Sequence, residues 1–203
     1  MNMKLYCNLT SPYSRKVRVT IEELGLADQV ELVTVDPFAP TAEFLAVNPL
    51  SKIPTLVTDR GEAMPDSHLI LDYLTHRKHG LAALPRGARR WELLRRTQLA
   101  DGVIDSAVAT VLEKRRPESI HFMQFLDRQR EIINRTLDVL NGEAGHLAMQ
   151  TPGQCEITTG VALSYLDFRL PYLEWRKTRE ALANWHSAFA QRPSMLATQP
   201  PKD

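Results

Sequence analysis

Asn48-Pro49-Leu50-Ser51-Lys52-Ile53-Pro54-Thr55-Leu56 is the stretch on which the fold of this chain turns. Its first half reads as a loop, and Thr55-Leu56-Val57-Thr58 reads as a strand. A proline that opens a strand is common, because its missing N–H lies outside the ladder. An Ile-Pro peptide also has access to the cis form. A cis bond here would turn the Ile53 N–H and C=O toward an incoming extended ligand, as in strand addition. The stretch alone leaves both readings open.

On its N-terminal side, Lys4-Leu5-Tyr6-Cys7 is a short strand. Ser11-Pro12 then supplies an N-cap and a proline at the first helical position. Tyr13, Val17, Ile21 and Leu24 follow at helical spacing, and Gly25 suits the stop. Val30 to Val35 is a β-branched strand, and Asp36 to Leu50 is a loop with at most a short helix. On its C-terminal side, Asp59-Arg60-Gly61-Glu62 is a turn into a fourth strand, Ala63-Met64-Pro65. Asp66-Ser67 then opens a helix with Leu69, Ile70, Tyr73 and Leu74 on one face. A parallel crossover followed by a hairpin and a closing helix is a small α/β sandwich (βαβ-ββα) over residues 1–80.

Residues 81–88, with Pro85 and Gly87, read as a linker. Beyond them the strand signal ends, and residues 89–203 read as an all-helical domain. Its helices are expected over 89–116, 119–140, 154–170 and 178–191, with residues 197–203 as a frayed tail.

The 203 residues carry 25 Lys+Arg against 24 Asp+Glu, a net charge of +1, so no basic excess points to nucleic acid. No apolar run approaches the roughly 20 residues that span a bilayer, and Met1-Asn2-Met3-Lys4-Leu5-Tyr6 is not an apolar signal segment. The expected partners therefore include neither nucleic acid nor membrane, and the expected compartment is the cytoplasm. The two cysteines, Cys7 and Cys155, are far apart and form no C-x-x-C, which removes support for a disulfide framework, a zinc ribbon or a dithiol motif. His68, Asp72, His76 and His79 share a helix face that reads as a solvated polar face rather than a metal site. Arg86, Arg89, Arg90, Arg95 and Arg96 read as a solvated face or dimer contacts.

Two further stretches bear on chemistry. In Thr10-Ser11-Pro12-Tyr13-Ser14 a hydroxyl sits between a strand and a helix N-terminus, where N–H groups and the helix dipole stabilise an anion, a thiolate included. The plainer reading is that Ser11 caps the helix, worth about 1 kcal/mol. At Asp66-Ser67 the choice is again between capping and ligand binding. The N–H groups would hold a carboxylate there, and Asp66 an ammonium group.

In combination these motifs resemble the cytosolic glutathione transferases, in particular a bacterial branch with Ser-Pro-Tyr/Phe near the start. Ala100-Asp101-Gly102-Val103-Ile104-Asp105 and Tyr165-Leu166-Asp167-Phe168-Arg169 are similar to that branch as well. The resemblance implies a thioredoxin-like N-terminal domain and an all-α C-terminal domain. It implies that Ser11 hydrogen-bonds the glutathione sulfur, that Ile53 before Pro54 pairs with the cysteinyl backbone, and that Asp66 and Ser67 hold the γ-glutamyl end. Lys52 matches a position that reaches the glycyl carboxylate in some classes, and Tyr13 would line the second-substrate pocket. Whether Thr10 or Ser14 replaces Ser11 at the sulfur is left open. The implied activity is conjugation of glutathione, as co-substrate and without a metal, to small, mostly apolar electrophiles in a detoxifying homodimer. The alternatives are a non-catalytic interaction or regulatory protein, and a glutathione-dependent isomerase, dehalogenase or peroxidase.

Ser11-Pro12-Tyr13-Ser14 also resembles a glutaredoxin Cys-Pro-Tyr-Cys site with both cysteines replaced by serine, which disfavours a mixed disulfide with the chain's own sulfur. Where the family has a Ser/Thr-x-x-Asp capping box, this chain reads Gly153-Gln154-Cys155-Glu156. Glycine is a tolerable N-cap, Glu156 is in position to reach back, and Cys155 is expected to be a buried bystander.

Overall fold

The computed structural model describes residues 2–82 and 84–201. The chain divides into two compact units, Met1–Ala83 with Arg192–Asp203, and Leu84–Gln191.

The first unit is built on a four-stranded sheet of β1 (Met3–Cys7), β2 (Val30–Thr34), β3 (Thr55–Val57) and β4 (Ala63–Pro65), in the order β2-β1-β3-β4. β1 and β2 are parallel, with Tyr6 opposite Val33. β3 runs antiparallel to both neighbours, with Thr55 opposite Tyr6 on one side and Pro65 on the other. Between β1 and β2 lies α1 (Pro12–Glu23), which starts at the Ser11 cap and ends before Gly25, whose φ of +58° glycine adopts without strain. It buries Val17, Val19 and Ile21, each worth about 1.5–3 kcal/mol of transfer free energy, and packs on α3 (Ser67–Arg77), which buries Ile70, Leu71 and Leu74. The short helix in the 36–50 loop is α2 (Ala42–Val47), capped by the Thr41 hydroxyl and anchored by fully buried Phe44 stacked on Tyr6 at 5.5 Å.

The second unit holds α4 (Ala88–Lys114), α5 (Met123–Gly142), α6 (Gln154–Arg169) and α7 (Glu180–Phe189). α6 is buried on nearly every face over its first ten residues, as expected of a helix at the centre of a helical core. At its start Glu156 Oε2 accepts the Gly153 N–H at 2.9 Å, so the weak glycine cap keeps the acidic half of the box. Cys155 is 1% exposed.

The helix starts differ from the sequence reading where local turns intervene. α5 begins at Met123 rather than Ser119, because Glu118–Ile120 forms a 3-10 turn and Glu113 of α4 accepts the Phe122 N–H at 2.8 Å. α7 begins at Glu180 rather than Thr178, behind a 3-10 turn at Trp175–Thr178 that follows left-handed Glu174.

The expectation of a helical domain running to residue 203, with a frayed end, is corrected. Residues 193–197 form a short helix, α8 (Pro193–Ala197), that packs on α1 in the first unit. The cause is polar. Arg192 and Ser194 both donate to Glu23, buried Arg15 donates to the Met195 carbonyl at 3.0 Å, and Thr198 is 1% exposed beside it. Lys202 and Asp203, the last of the expected tail, lie outside the described residues.

Candidate functional site

The sheet register gathers the predicted residues. With Tyr6, Thr55 and Pro65 side by side, Cys7, Pro54 and Asp66 stand one step further along at the same end of three adjacent strands. Ser11 follows Cys7 after one tight turn, Ile53 precedes Pro54, and Ser67 follows Asp66.

The Ile53–Pro54 peptide is cis. Pro54 is buried and Ile53 half-buried. Among the described residues, neither the N–H nor the C=O of Ile53 has a hydrogen-bond partner. Backbone polar groups left unpaired beside an ordered strand are the groups that an added extended chain meets. The loop that presents them is pinned by Asn48, 1% exposed, whose Nδ2 donates to the Lys52 carbonyl and the Thr55 hydroxyl, both at 2.9 Å. Its Oδ1 accepts the Leu50 N–H at 3.0 Å. Asn48 stands first in the decisive stretch, but no role was assigned to it from sequence. An asparagine leading a Pro-containing loop into a strand is the signal that marks it. Lys52 itself is exposed.

Asp66 sits at φ +79°, a backbone that Asn and Asp tolerate better than most residues. One carboxylate oxygen caps α3 by accepting the N–H groups of His68 at 2.8 Å and Leu69 at 3.4 Å. Ser67, 3% exposed, is the first helical residue. Among the described residues its N–H and hydroxyl have no partner. The arrangement thus offers a donor pair at a helix N-terminus beside a carboxylate with one oxygen uncommitted.

At the third corner Ser11 Oγ accepts the Ser14 N–H at 3.2 Å, so it does cap α1. That use spends a lone pair and leaves the O–H proton to donate. A hydroxyl that already accepts a hydrogen bond is polarised toward being a better donor. Ser11 and Tyr13 are half-buried. The Tyr13 ring lies 5.9 Å from the ammonium of Lys16, a fully buried residue. Cys7 and Cys155 are both buried. Burial pushes the Cys7 thiol up, and pushes Cys155 to about 12 with the Glu156 charge adding to it.

A separate cavity of about 120 Å³ lies in the second unit, lined by Leu126, Ile133, Tyr172 and Lys114 among others. None of the predicted site residues lines it. In the basic cluster, Arg95 and Arg96 share Glu143, whose carboxyl they hold below the usual range.

A thioredoxin-like sheet unit followed by an all-helical unit is the architecture of cytosolic glutathione transferases. The glutathione S-transferase N-terminal domain profile matches residues 10–77. The "Uncharacterized GST-like protein YibF" of Escherichia coli K12 is 35% identical over 203 residues, covering 98% of this chain and all of the relative. Among solved structures, a glutathione transferase family member from Pseudomonas fluorescens Pf-5 with bound glutathione is 43% identical. It covers 99% of this chain and 100% of its own, with a TM-score of 0.93. A glutathione S-transferase from Methylobacillus flagellatus KT with GSH bound is 33% identical, covers 98% and 100%, and has a TM-score of 0.89. A stringent starvation protein A homologue of Haemophilus ducreyi is 31% identical over 64% of this chain and 58% of its own length. The chain belongs to the glutathione S-transferase family.

Proposed function

We propose that the protein is a glutathione transferase that binds glutathione extended along the first unit and conjugates it to small, mostly apolar electrophiles. The observation that carries this reading is the unpaired Ile53 backbone, set at the same sheet end as Ser11 and Asp66-Ser67. The cysteinyl backbone adds to Ile53 as a short strand. The γ-glutamyl carboxylate takes the Ser67 N–H and hydroxyl, its ammonium takes the open oxygen of Asp66, and Lys52 reaches toward the glycyl carboxylate.

The Ser11 hydroxyl then donates to the glutathione sulfur and favours the thiolate, whose proton goes to water. The sulfur lone pair forms the new S–C bond. In a substitution the leaving group departs with its bonding pair. In an addition the displaced pair takes up a proton from solvent. Positioning and thiolate stabilisation supply the acceleration. Tyr13, two residues beyond Ser11, flanks the electrophile. The bound glutathione in two related structures supports this reading, as does the absence of a surface thiol that would make the chain itself the sulfur reagent. The working form is a cytoplasmic homodimer, which light scattering on the purified protein tests.

Calorimetry with glutathione, followed by a panel of electrophiles, tests the whole. Micromolar to millimolar binding with turnover of at least one electrophile supports it, and no binding at 10 mM overturns it. A non-catalytic interaction role is the second reading, favoured by the partial similarity to stringent starvation protein A homologues. Glutathione binding without turnover of any electrophile, peroxide or halide supports that one.

A further inference from the structure

Three hydroxyls lie in the turn that leads into α1, at Thr10, Ser11 and Ser14, and Asn8 touches the turn at each of them. Its Oδ1 accepts the Thr10 N–H at 2.9 Å and the Thr10 hydroxyl at 2.8 Å. Because a backbone N–H only donates, the atom facing it is the amide oxygen, and the Thr10 proton is directed onto it. The Asn8 carbonyl accepts the Ser11 N–H at 3.2 Å, and the Asn8 N–H donates to Ser14 Oγ at 3.4 Å. Ser14 is fully buried. Thr10 therefore has no proton to give without losing a bond, and Ser14 has no exposed surface. Ser11 is half-buried like Thr10, but it is held at its own N–H and left with a proton.

We infer that Asn8 is the positioning residue of the sulfur subsite: it fixes Ser11 and occupies Thr10, so that one hydroxyl of three meets the thiolate. This rests on the proposed function and adds a selection step to it. Asn8 makes no contact with the reacting atoms in this account and acts through Ser11. An untethered pair of neighbouring hydroxyls would compete for the sulfur, and a donor that must first break a bond of its own stabilises an anion less than one held ready.

The test is the pH titration of glutathione bound to the full-length protein, followed by thiolate absorbance near 240 nm, beside turnover of one accepted electrophile. Asn8→Ala is expected to raise the midpoint and to lower turnover near pH 6.5 by about tenfold. Glutathione affinity, set at Ile53, Asp66 and Ser67, is expected to change by less than about threefold. Raising the pH is expected to recover much of the lost rate, which a merely misfolded variant would not do. Thr10→Val removes a hydroxyl that Asn8 already occupies, and is expected to cost at most about threefold. Placed on top of Ser11→Ala, Asn8→Ala frees Thr10 and is expected to return part of the lost rate.

An unchanged midpoint and rate in Asn8→Ala overturn the inference, as does a loss in Thr10→Val as large as that in Ser11→Ala. If the Asn8 variant does not fold, the Thr10 comparison decides, since that substitution removes only a side-chain bond. Wild-type protein that neither binds nor deprotonates glutathione removes the functional reading itself. Wild-type protein that does both, with Asn8→Ala identical to it, removes only the role of Asn8.

Discussion

Arg192 holds Glu23 at two points, its Nε and Nη2 each 2.7 Å from a different carboxylate oxygen, and Ser194 donates to the same group. The pair joins residues 169 positions apart and fixes the end of the chain to α1, the helix that begins at Ser11. Burial pushes the Glu23 carboxyl up, but the hydrogen bonds and charge of Arg192 and Ser194 outweigh it and hold the group below the ordinary value of 4.5. A depressed carboxyl stabilises the folded state fully above its unfolded value, and that contribution is lost as pH falls through the folded value. Urea denaturation from pH 7 to pH 3 is expected to show stability falling below about pH 4.5. Glu23→Gln is expected to flatten part of that fall and to lower the neutral-pH stability by about 1–3 kcal/mol, between the range of exposed pairs and that of fully buried ones.

Ser11→Ala removes a cap and, in the proposed mechanism, a donor to the thiolate. The expected stability cost is about 1 kcal/mol. The expected loss in turnover is about 10- to 100-fold, the value of one hydrogen bond to a charged group. Glutathione affinity, measured by calorimetry, is expected to fall by no more than about threefold. Equal turnover of variant and wild type between pH 6 and 8 would remove Ser11 from the mechanism.

Asp66 does two things that one pair of substitutions separates. Asn caps helices as well as Asp and tolerates the same positive φ, so Asp66→Asn is expected to leave the unfolding midpoint in place. It is expected to weaken glutathione binding by about tenfold through loss of the charge facing the ammonium. Asp66→Ala is expected to weaken binding similarly and also to lower stability by about 1–2 kcal/mol. Calorimetry and denaturation on both variants check this.

Asn48→Ala strips three hydrogen bonds from a buried loop, those to the Lys52 carbonyl, the Thr55 hydroxyl and the Leu50 N–H. The expected cost is about 2–4 kcal/mol, from unmet buried polar groups and a small void. Hydrogen exchange is expected to rise first at Leu50 and along β3.

With a thiol pKa of about 12, Cys155 presents roughly one thiolate in 10⁵ at pH 7, and it has 1% exposure. Cys7 is fully buried and also shifted up. The folded protein is expected to show no fast reaction with a disulfide reagent, and two equivalents to react on unfolding in denaturant. One fast equivalent in the native protein would contradict the burial of one of them.

The elements of the first unit were legible because each is punctuated locally. Ser11-Pro12 starts α1, Gly25 ends it, Gly61 turns the hairpin, and Asp66-Ser67 starts α3. The cis proline was legible as one of two readings, and only the folded neighbours chose between them. The helical unit was legible in number and at the starts of α4 and α6 but not at those of α5 and α7, because local 3-10 turns precede both and Glu113 caps α5 from another helix. The docking of residues 192–201 was not legible. Glu23, Arg15 and Arg192 look like solvated charges in sequence, and what pairs them is separated from them by the whole helical unit. In the site, residue types and spacing pointed to one edge of a sheet. The proposed choice of Ser11 over Thr10 and Ser14 rests on the hydrogen bonds of Asn8, which the local residue pattern does not show.

The placement of α8 bears on how the protein is made. A ribosome makes the β-strands before the helical unit, and the segment that packs back on α1 after it. Until Arg192 and Met195 have been synthesised, Arg15 and Glu23 await a carbonyl and a cation that do not yet exist. The sheet unit therefore lacks one of its segments until the helical unit has been synthesised. A fragment ending near residue 83 would be an incomplete thioredoxin-like body rather than a free-standing domain, and adding residues 192–201 as a separate peptide would supply the missing clasp.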